Sequence, residues 1–330
     1  MKLLITGGAG FIGAHVLHHF CKAYPSYEIY CLDSLSYAAQ YENIAALESF
    51  DHFNFIRADL NDAELIDQLF TGIGFTHIIH LAAESHVDNS IEDPLLFAKT
   101  NVMGTLNLLE AARKHWKGGA DHLFYHISTD EVFGALGETG SFSETTAYDP
   151  RSPYSASKAS SDHFVRAYHH TYSLPVVISN CSNNYGPFQH DEKLIPTVIR
   201  SIVKGTPIPI YGDGSNVRDW LYVKDHAAAI DLIFHKAKSG QTFCIGGDAE
   251  RSNLSIVKDL ILLTDKVLEN PVGHSEKLIS FVTDRKGHDF RYAIDHSHLT
   301  NSMGWRPSTD LEAGLTETVT YYVARYTGEH

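Results

Sequence analysis

Leu3-Leu4-Ile5-Thr6-Gly7-Gly8-Ala9-Gly10-Phe11-Ile12-Gly13 is the stretch from which the rest of the chain can be read. The apolar triplet is a short buried strand and the glycine cluster a tight turn. Phe11, Val16, Leu17 and Phe20 then mark one face of a helix that reaches Cys21. Glycines 7, 10 and 13 recur every third residue. Lacking Cβ atoms, they let backbone N–H groups approach a diphosphate at the helix N-terminus, and Gly13 lets the helix lie close to the strand. A second strand, Ile29 to Leu32, ends at Asp33, about where a carboxylate meets the adenosine ribose of a dinucleotide. A carboxylate there repels a 2′-phosphate, so the pattern points to NAD rather than NADP.

The alternation continues outward. Phe53–Ile56, His77–Leu81, Leu123–Ile127 and Val176–Ile178 read as strands, with helices between them, notably Leu95 to Trp116 and Pro153 to Tyr172. Continuous apolar strands separated by helices predict an α/β fold: a Rossmann-type, doubly wound parallel sheet covered on both faces. Asp59-Leu60 closes the third strand and would flank adenine. Leu81-Ala82-Ala83 closes the fourth, where small residues let a cofactor lie across the sheet edge. After Cys181 the pattern loosens into loops at Asn183–Pro187 and Tyr211–Asn216, with helices at Lys193–Lys204, Ser255–Leu268 and Leu311–Tyr326. This reads as a smaller C-terminal α/β substrate lobe. The expected division gives residues 1–182, with parts of 217–248 and 284–300, to NAD, and residues 183–216 and 249–330 to the substrate.

Bulk properties narrow the class. The formal net charge of −14 over 330 residues disfavours nucleic acid or an anionic membrane as a partner. Four scattered cysteines without a CxxC pair read as reduced thiols, and no apolar run approaches the ~18 residues of a membrane span. No signal peptide precedes the first strand, so the expected location is the cytoplasm. The histidines show no metal-ligand spacing, and no metal is expected.

Two further stretches carry chemistry. Ser128-Thr129-Asp130-Glu131 follows the fifth strand, at the carboxyl edge where ligands of such sheets bind. Two close carboxylates push their titrations apart, so that one can hold a proton while the other is ionised. Ser152-Pro153 is a helix start, and Tyr154 and Lys158 then share a helix face at i, i+4. The Lys158 ammonium and the positive nicotinamide ring of NAD are expected to lower the Tyr154 phenol toward a usable general base. Arg218 and Arg285 are candidates for diphosphate, because a guanidinium fork matches phosphate oxygens.

At these residues the chain resembles the extended short-chain dehydrogenase/reductase superfamily, and within it the nucleotide-sugar 4,6-dehydratases that act on dTDP-glucose. The resemblance spans nearly the whole chain. It rests on Thr6–Gly13, Ala82–Asp88, Ser128-Thr-Asp-Glu-Val-Phe-Gly134, Tyr154-Ser-Ala-Ser-Lys158, Cys181–Pro187, Glu192–Pro196, Tyr211–Gly214, Arg218–Leu221 and Asp284–Asp289. The Asp-Glu pair is the specific element, since the 4-epimerases of the superfamily lack it. The resemblance implies a three-step cycle. Tyr154, with Lys158 beside it, takes the proton of the glucose 4-hydroxyl while Thr129 hydrogen-bonds that oxygen and hydride passes from C4 to NAD. Glu131 removes the C5 proton and Asp130 protonates the leaving 6-hydroxyl. Hydride returns to C6, giving dTDP-4-keto-6-deoxy-D-glucose.

The resemblance adds Phe11, Ile12, Ser34 and Leu35 to the cofactor set of Gly7, Gly10, Gly13, Asp33, Asp59, Leu60, Leu81, Ala82, Ala83, Tyr154 and Lys158. For the substrate it implies Ser85, Asn183, Glu192, Lys193 and Leu194 near sugar and phosphates, Pro209 and Tyr211 near the base, and Asn253 and His288 at the nucleotide's other edge. Asn89 and Lys286 depart from the pattern, where Arg and Pro are common. A UDP-glucose dehydratase would use similar catalytic groups, and a 4-epimerase would share NAD, Tyr154 and Lys158 without Glu131. The helices at Leu95–Trp116 and Pro153–Tyr172 are similar to a pair that forms a four-helix homodimer interface.

Overall fold

A computed structural model describes residues 1–116, 121–284 and 289–328. Strands β1 (Lys2–Thr6), β2 (Glu28–Asp33), β3 (Phe53–Arg57), β4 (His77–His80), β5 (Leu123–Thr129) and β6 (Val176–Cys181) build one sheet. Three short strands follow: β7 (Asn183–Tyr185), β8 (Ile208–Tyr211) and β9 (Val217–Tyr222). Then β10 (Thr242–Ile245) joins the first sheet at its edge. The order is β10-β6-β5-β4-β1-β2-β3, and every neighbouring pair is parallel.

The sheet is buried on both sides, as its continuous apolar strands require. Leu3 and Ile5 pack with Val16, Leu17 and Phe20 of the helix Phe11–Ala23 and with Ile230 and Ile233 of the helix Val223–Lys236. Leu4, between them, points the other way, to Ile66 and Phe70 of the helix Ala63–Ile73 and to Leu108 and Leu109 of the helix Gly104–His115. This period of two is the pleat expressed in burial. Strand order reverses between β1 and β4, which opens a crevice at the carboxyl edge.

A second core collects Ile195, Val198 and Ile199 of the helix Leu194–Lys204, Ile256 and Leu260 of the helix Asn253–Val267, and Leu315 and Val319 of the helix Leu311–Thr327. Two small sheets accompany it. In one, β9 pairs in parallel with β7 and antiparallel with β11 (Glu250–Ser252). In the other, β8 pairs in parallel with β12 (Ile279–Val282).

Two expected elements differ. Asn183–Pro187, read as a loop, contains β7, because its backbone finds a partner in β9 that lies far away in sequence. The stretch from Leu95 to Trp116, read as one helix, is α-helical over Pro94–Phe97, π-helical over Ala98–Met103 and α-helical again over Gly104–His115. The wide turn brings buried Asn101 to Glu84 and Ser157. Its amide donates to the Glu84 carbonyl (3.0 Å) and Ser157 Oγ (2.8 Å), and its oxygen accepts from the Glu84 N–H (2.8 Å).

Candidate active site

A cavity of about 320 Å³ lies along the carboxyl edge of the parallel sheet, between it and the segment 181–193. At one end the glycine turn forms its wall. Gly7 adopts φ +70°, and a Cβ there would stand 2.6 Å from Ala82. A Cβ on Gly13 would stand 2.1 Å from the Gly7 carbonyl. Only glycine permits this approach of helix, turn and strand. The helix Phe11–Ala23 begins at Gly10 without a side-chain cap, and Gly10 to Gly13 line the cavity, so its N-terminal amides are presented to an anion there.

Asp33, 7% exposed, closes the same end. It accepts from the Ala9 N–H (3.0 Å) and the Leu35 N–H (2.8 Å). Burial raises its carboxyl, and the two amides oppose that rise. Each oxygen retains a second lone pair, enough for ribose hydroxyls. The turn beyond it is tight: Leu35 takes φ +57° and packs into the core rather than onto the cavity. Glycine cradle, uncapped helix start and terminal carboxylate together fit a dinucleotide such as NAD.

At the other end β5 delivers Ser128 and Thr129, and a short 3₁₀ turn delivers Asp130 and Glu131. Asp130 is 1% exposed and Glu131 partly open to the cavity. Burial, then the charge of Glu131, pushes the Asp130 carboxyl well above the usual range. The Thr129 hydroxyl donates to Asp130 Oδ1 at 3.3 Å and accepts from the Glu131 N–H at 3.3 Å, which fixes the pair on either side of it.

The helix Pro153–Tyr172 starts with a capping box, Ser152 and Ser155 exchanging hydrogen bonds across its first turn. It sets Tyr154 and Lys158 against β5, both buried and both on the cavity wall. On balance the protein's own groups raise the phenol. Burial raises Tyr154 well above its ordinary value, the Glu131 charge adds to that, and a hydrogen bond with Thr129 opposes it. Lys158, expected to supply the lowering charge, directs its Nζ to the Ile127 carbonyl (2.9 Å), and burial pulls it below the usual lysine value.

The cavity brings together most of the expected residues. Gly7, Gly10, Phe11, Ile12, Gly13, Asp33, Ser34, Asp59, Leu60, Leu81, Ala82 and Ala83 line the cofactor end. Thr129, Asp130, Glu131, Tyr154, Lys158, Ser85, Asn183, Glu192 and Lys193 line the other. Lys193 reaches across, donating to the Ser85 carbonyl (3.2 Å). Its neighbour Glu192 accepts from the Tyr37 hydroxyl (3.1 Å).

Leu35, Leu194, Pro209, Tyr211, Arg218 and Asn253 are not on this wall. Pro209 and Tyr211 are the outward residues of β8, and Asn253 opens a helix of the second core. Arg218 is 8% exposed. Its guanidinium lies 4.4 Å over the Tyr292 ring and donates to the carbonyls of Val217 (2.8 Å) and Asp289 (3.1 Å). Arg285 and His288, with Lys286, lie outside the described residues.

Sequence reasoning missed Asn101 and Asp162, both buried behind the catalytic groups. Asp162 had a signal, since it follows Lys158 by one helical turn. Among the described residues no cluster of three or more His, Cys, Asp or Glu could hold a metal ion, and no helix is long and apolar enough to cross a membrane. All four cysteines are buried free thiols.

The profile of the GDP-mannose 4,6 dehydratase family matches residues 4–318. The chain is 48% identical over 331 residues to the dTDP-glucose 4,6-dehydratase of Xanthomonas campestris pv. campestris, covering 98% of this chain and 93% of that one. The dTDP-glucose 4,6-dehydratase of Streptomyces venezuelae, solved with NAD and TYD bound, superposes with a TM-score of 0.90 at 41% identity, covering 98% and 97%. The UDP-glucose 4-epimerase of Thermus thermophilus, solved with NAD, gives 0.86 at 29% identity, covering 98% and 99%. By profile, relatives and superposition, the chain belongs to the GDP-mannose 4,6 dehydratase family of extended short-chain dehydrogenases and stands beside the dTDP-glucose 4,6-dehydratases within it.

Proposed function

We infer that this cavity takes NAD and dTDP-glucose and converts the sugar to dTDP-4-keto-6-deoxy-D-glucose with loss of water. One observation carries the reading: adjacent Asp130 and Glu131 stand in different environments at the end of β5, and burial beside Glu131 favours the protonated form of Asp130. An elimination needs a base and an acid at the same pH, and this arrangement supplies both.

Gly7, Gly10 and Gly13 would hold the diphosphate of NAD, Asp33 the ribose, and Asp59, Leu60, Ala82 and Ala83 the adenine and the sheet edge. Bound NAD supplies the hydride acceptor for C4 and the hydride donor for C6. Tyr154 takes the proton of the 4-hydroxyl, and Thr129 holds that oxygen. Its phenol needs positive charge nearby to serve as a base, and Lys158 is the cation of the wall closest in sequence. Once C4 is a ketone the C5 proton is acidic. Glu131 removes it, Asp130 gives its proton to the departing 6-hydroxyl, and water leaves. Glu131 then returns a proton to C5, and the proton that Tyr154 took from the 4-hydroxyl, passed on through solvent, replaces the one Asp130 gave to the departing water, so Tyr154 and Asp130 both end the cycle as they began. Ser85, Asn183, Glu192 and Lys193 hold the sugar and diphosphate. Residues 1–182, with parts of 217–248 and 284–300, serve the cofactor, and residues 183–216 and 249–330 the sugar nucleotide.

We also propose a cytoplasmic homodimer that does not bind nucleic acid. The net charge of −14 supports the last point. Exposed Leu95, Leu96, Met103 and Phe164 on the helices Pro94–His115 and Pro153–Tyr172 support the first, and sedimentation at micromolar concentration tests it.

The deciding assay incubates the protein with dTDP-glucose and, separately, UDP-glucose. A 4-keto-6-deoxy sugar, which absorbs in alkali, is expected from dTDP-glucose at the higher kcat/KM. Production of dTDP-galactose instead would make the chain a 4-epimerase.

A further inference from the structure

Behind the catalytic wall lies a buried polar seam. Asp162 sits one turn after Lys158 and two turns after Tyr154, so all three face β5. It is 0% exposed, as is His126 on β5. Asp162 Oδ2 accepts from the Tyr148 hydroxyl (2.7 Å), Ser128 Oγ (2.9 Å) and Asn180 Nδ2 (3.3 Å). The same Asn180 amide donates to the Thr129 carbonyl at 3.0 Å. Asp162 Oδ1 lies 3.1 Å from His126 Nε2. Asp162 is not on the cavity wall.

Of the cations near this carboxylate, Lys158 acts on it directly and Arg166 through Tyr148. His80 on β4 and His126 on β5 are both driven down by burial, His126 to about 4, and are neutral near pH 7. Cys181 on β6 is pushed up by burial to about 12 and is neutral too. Tyr148 is held in its phenol form by burial and by the charge of Asp162. Arg166 reaches the seam through the Tyr148 hydroxyl, at 2.9 Å. Burial raises the Asp162 carboxyl, but His126, Lys158 and Tyr148 together hold it below the usual range. Burial lowers Lys158, and Asp162 is the first group that opposes it. An asparagine could make the same contacts without burying a charge. A carboxylate is worth its desolvation here only against a cation.

We propose that Asp162 is a positioning residue for the dehydration: it is the counter-ion of Lys158, and through Ser128 and Asn180 it ties the Thr129–Glu131 end of β5 to the helix carrying Tyr154. The proposal rests on the functional reading above for its kinetic arm only.

The test compares Asp162→Asn, which removes the charge, with Tyr148→Phe, which removes one hydrogen bond to the same oxygen. In Asp162→Asn kcat is expected to fall by about 10²-fold, with KM for dTDP-glucose within about twofold of wild type. The alkaline limb of its pH profile moves to lower pH by about one unit. Tyr148→Phe leaves that limb in place.

A second arm needs no turnover. Between the depressed folded value of Lys158 and its unfolded value, only the unfolded chain holds the proton, so stability rises with pH there. Removing Asp162 extends that window downward. The unfolding-midpoint deficit of Asp162→Asn therefore shrinks as pH rises through the folded value of Lys158, while that of Tyr148→Phe stays constant. A constant deficit with an unmoved limb would reduce Asp162 to a structural acceptor and overturn the proposal. If Asp162→Asn does not fold, Asn180→Ala cuts the tie to Thr129 and keeps the charge. It is expected to lower kcat with the limb in place, and an unchanged kcat overturns the positioning role. A wild type that does not dehydrate the sugar overturns the functional reading instead, and the stability arm still decides for Asp162.

Discussion

Strand β5 ends in Ser128 and Thr129 and leads straight into Asp130, all three buried and on the cavity wall. Strand β8, in the smaller lobe, turns Ile208 and Ile210 inward and leaves Pro209 and Tyr211 exposed, away from that wall. The two regions obey the same pleat, yet they relate to the site differently. At β5 the strand's end is the site, and neighbouring strands and the helix Pro153–Tyr172 hold each side chain. At β8 only one face packs, against a core assembled from three helices and shared with residues more than a hundred positions away. The first region sets chemistry by burial. The second leaves an exposed face that lies off the cavity wall.

Substitutions can sharpen or break that contrast. The largest effect is expected at the buried edge: Tyr154→Phe lowers turnover by about 10²–10⁴-fold, read by product formation, and near-normal turnover would remove Tyr154 as the base. Glu131→Gln is expected to leave C4 oxidation detectable while abolishing entry of solvent deuterium at C5. Retained exchange would assign the base elsewhere.

Asp130 must carry its proton to act, so activity falls as pH rises through its elevated value. Asp130→Asn is expected to slow water loss and to remove that part of the alkaline limb. A profile identical in shape to wild type would contradict the acid role. On the lobe side Lys193→Ala, at the cavity lip, is expected to raise KM for dTDP-glucose by about tenfold, the order of one charge-assisted hydrogen bond. Tyr211→Phe changes KM by less than about threefold. A large kcat loss in either variant would erase the distinction between the two regions.

How far the sequence could be read follows the same division. The strand, glycine turn and helix of residues 3–21 are local, and Asp33 follows at a fixed separation, so their place along the cavity was legible almost residue by residue. Tyr154 and Lys158 share a helix face whatever surrounds them. Thr129, Asp130 and Glu131 were legible because a strand's end fixes its position. The π-helical turn at Ala98–Met103 was not legible, since it exists to bring Asn101 to Glu84 and Ser157, contacts that no local pattern reveals. Nor could the sequence show Lys158 turned to the Ile127 carbonyl, or the burial that raises the Tyr154 phenol among the protein's own groups. Arg218 makes the limit plainest. A guanidinium suited to phosphate is equally suited to backbone carbonyls, and the fold puts it over Tyr292 with three carbonyls in its grasp.

The central claim is that one hydrogen leaves C4 of the sugar and arrives at C6 within a single catalytic cycle. dTDP-glucose labelled with deuterium at C4, turned over to completion and examined by NMR and mass spectrometry, tests this directly. The account predicts deuterium in the product's C6 methyl group, with solvent hydrogen at C5. Label lost to solvent or retained at C4 would contradict it.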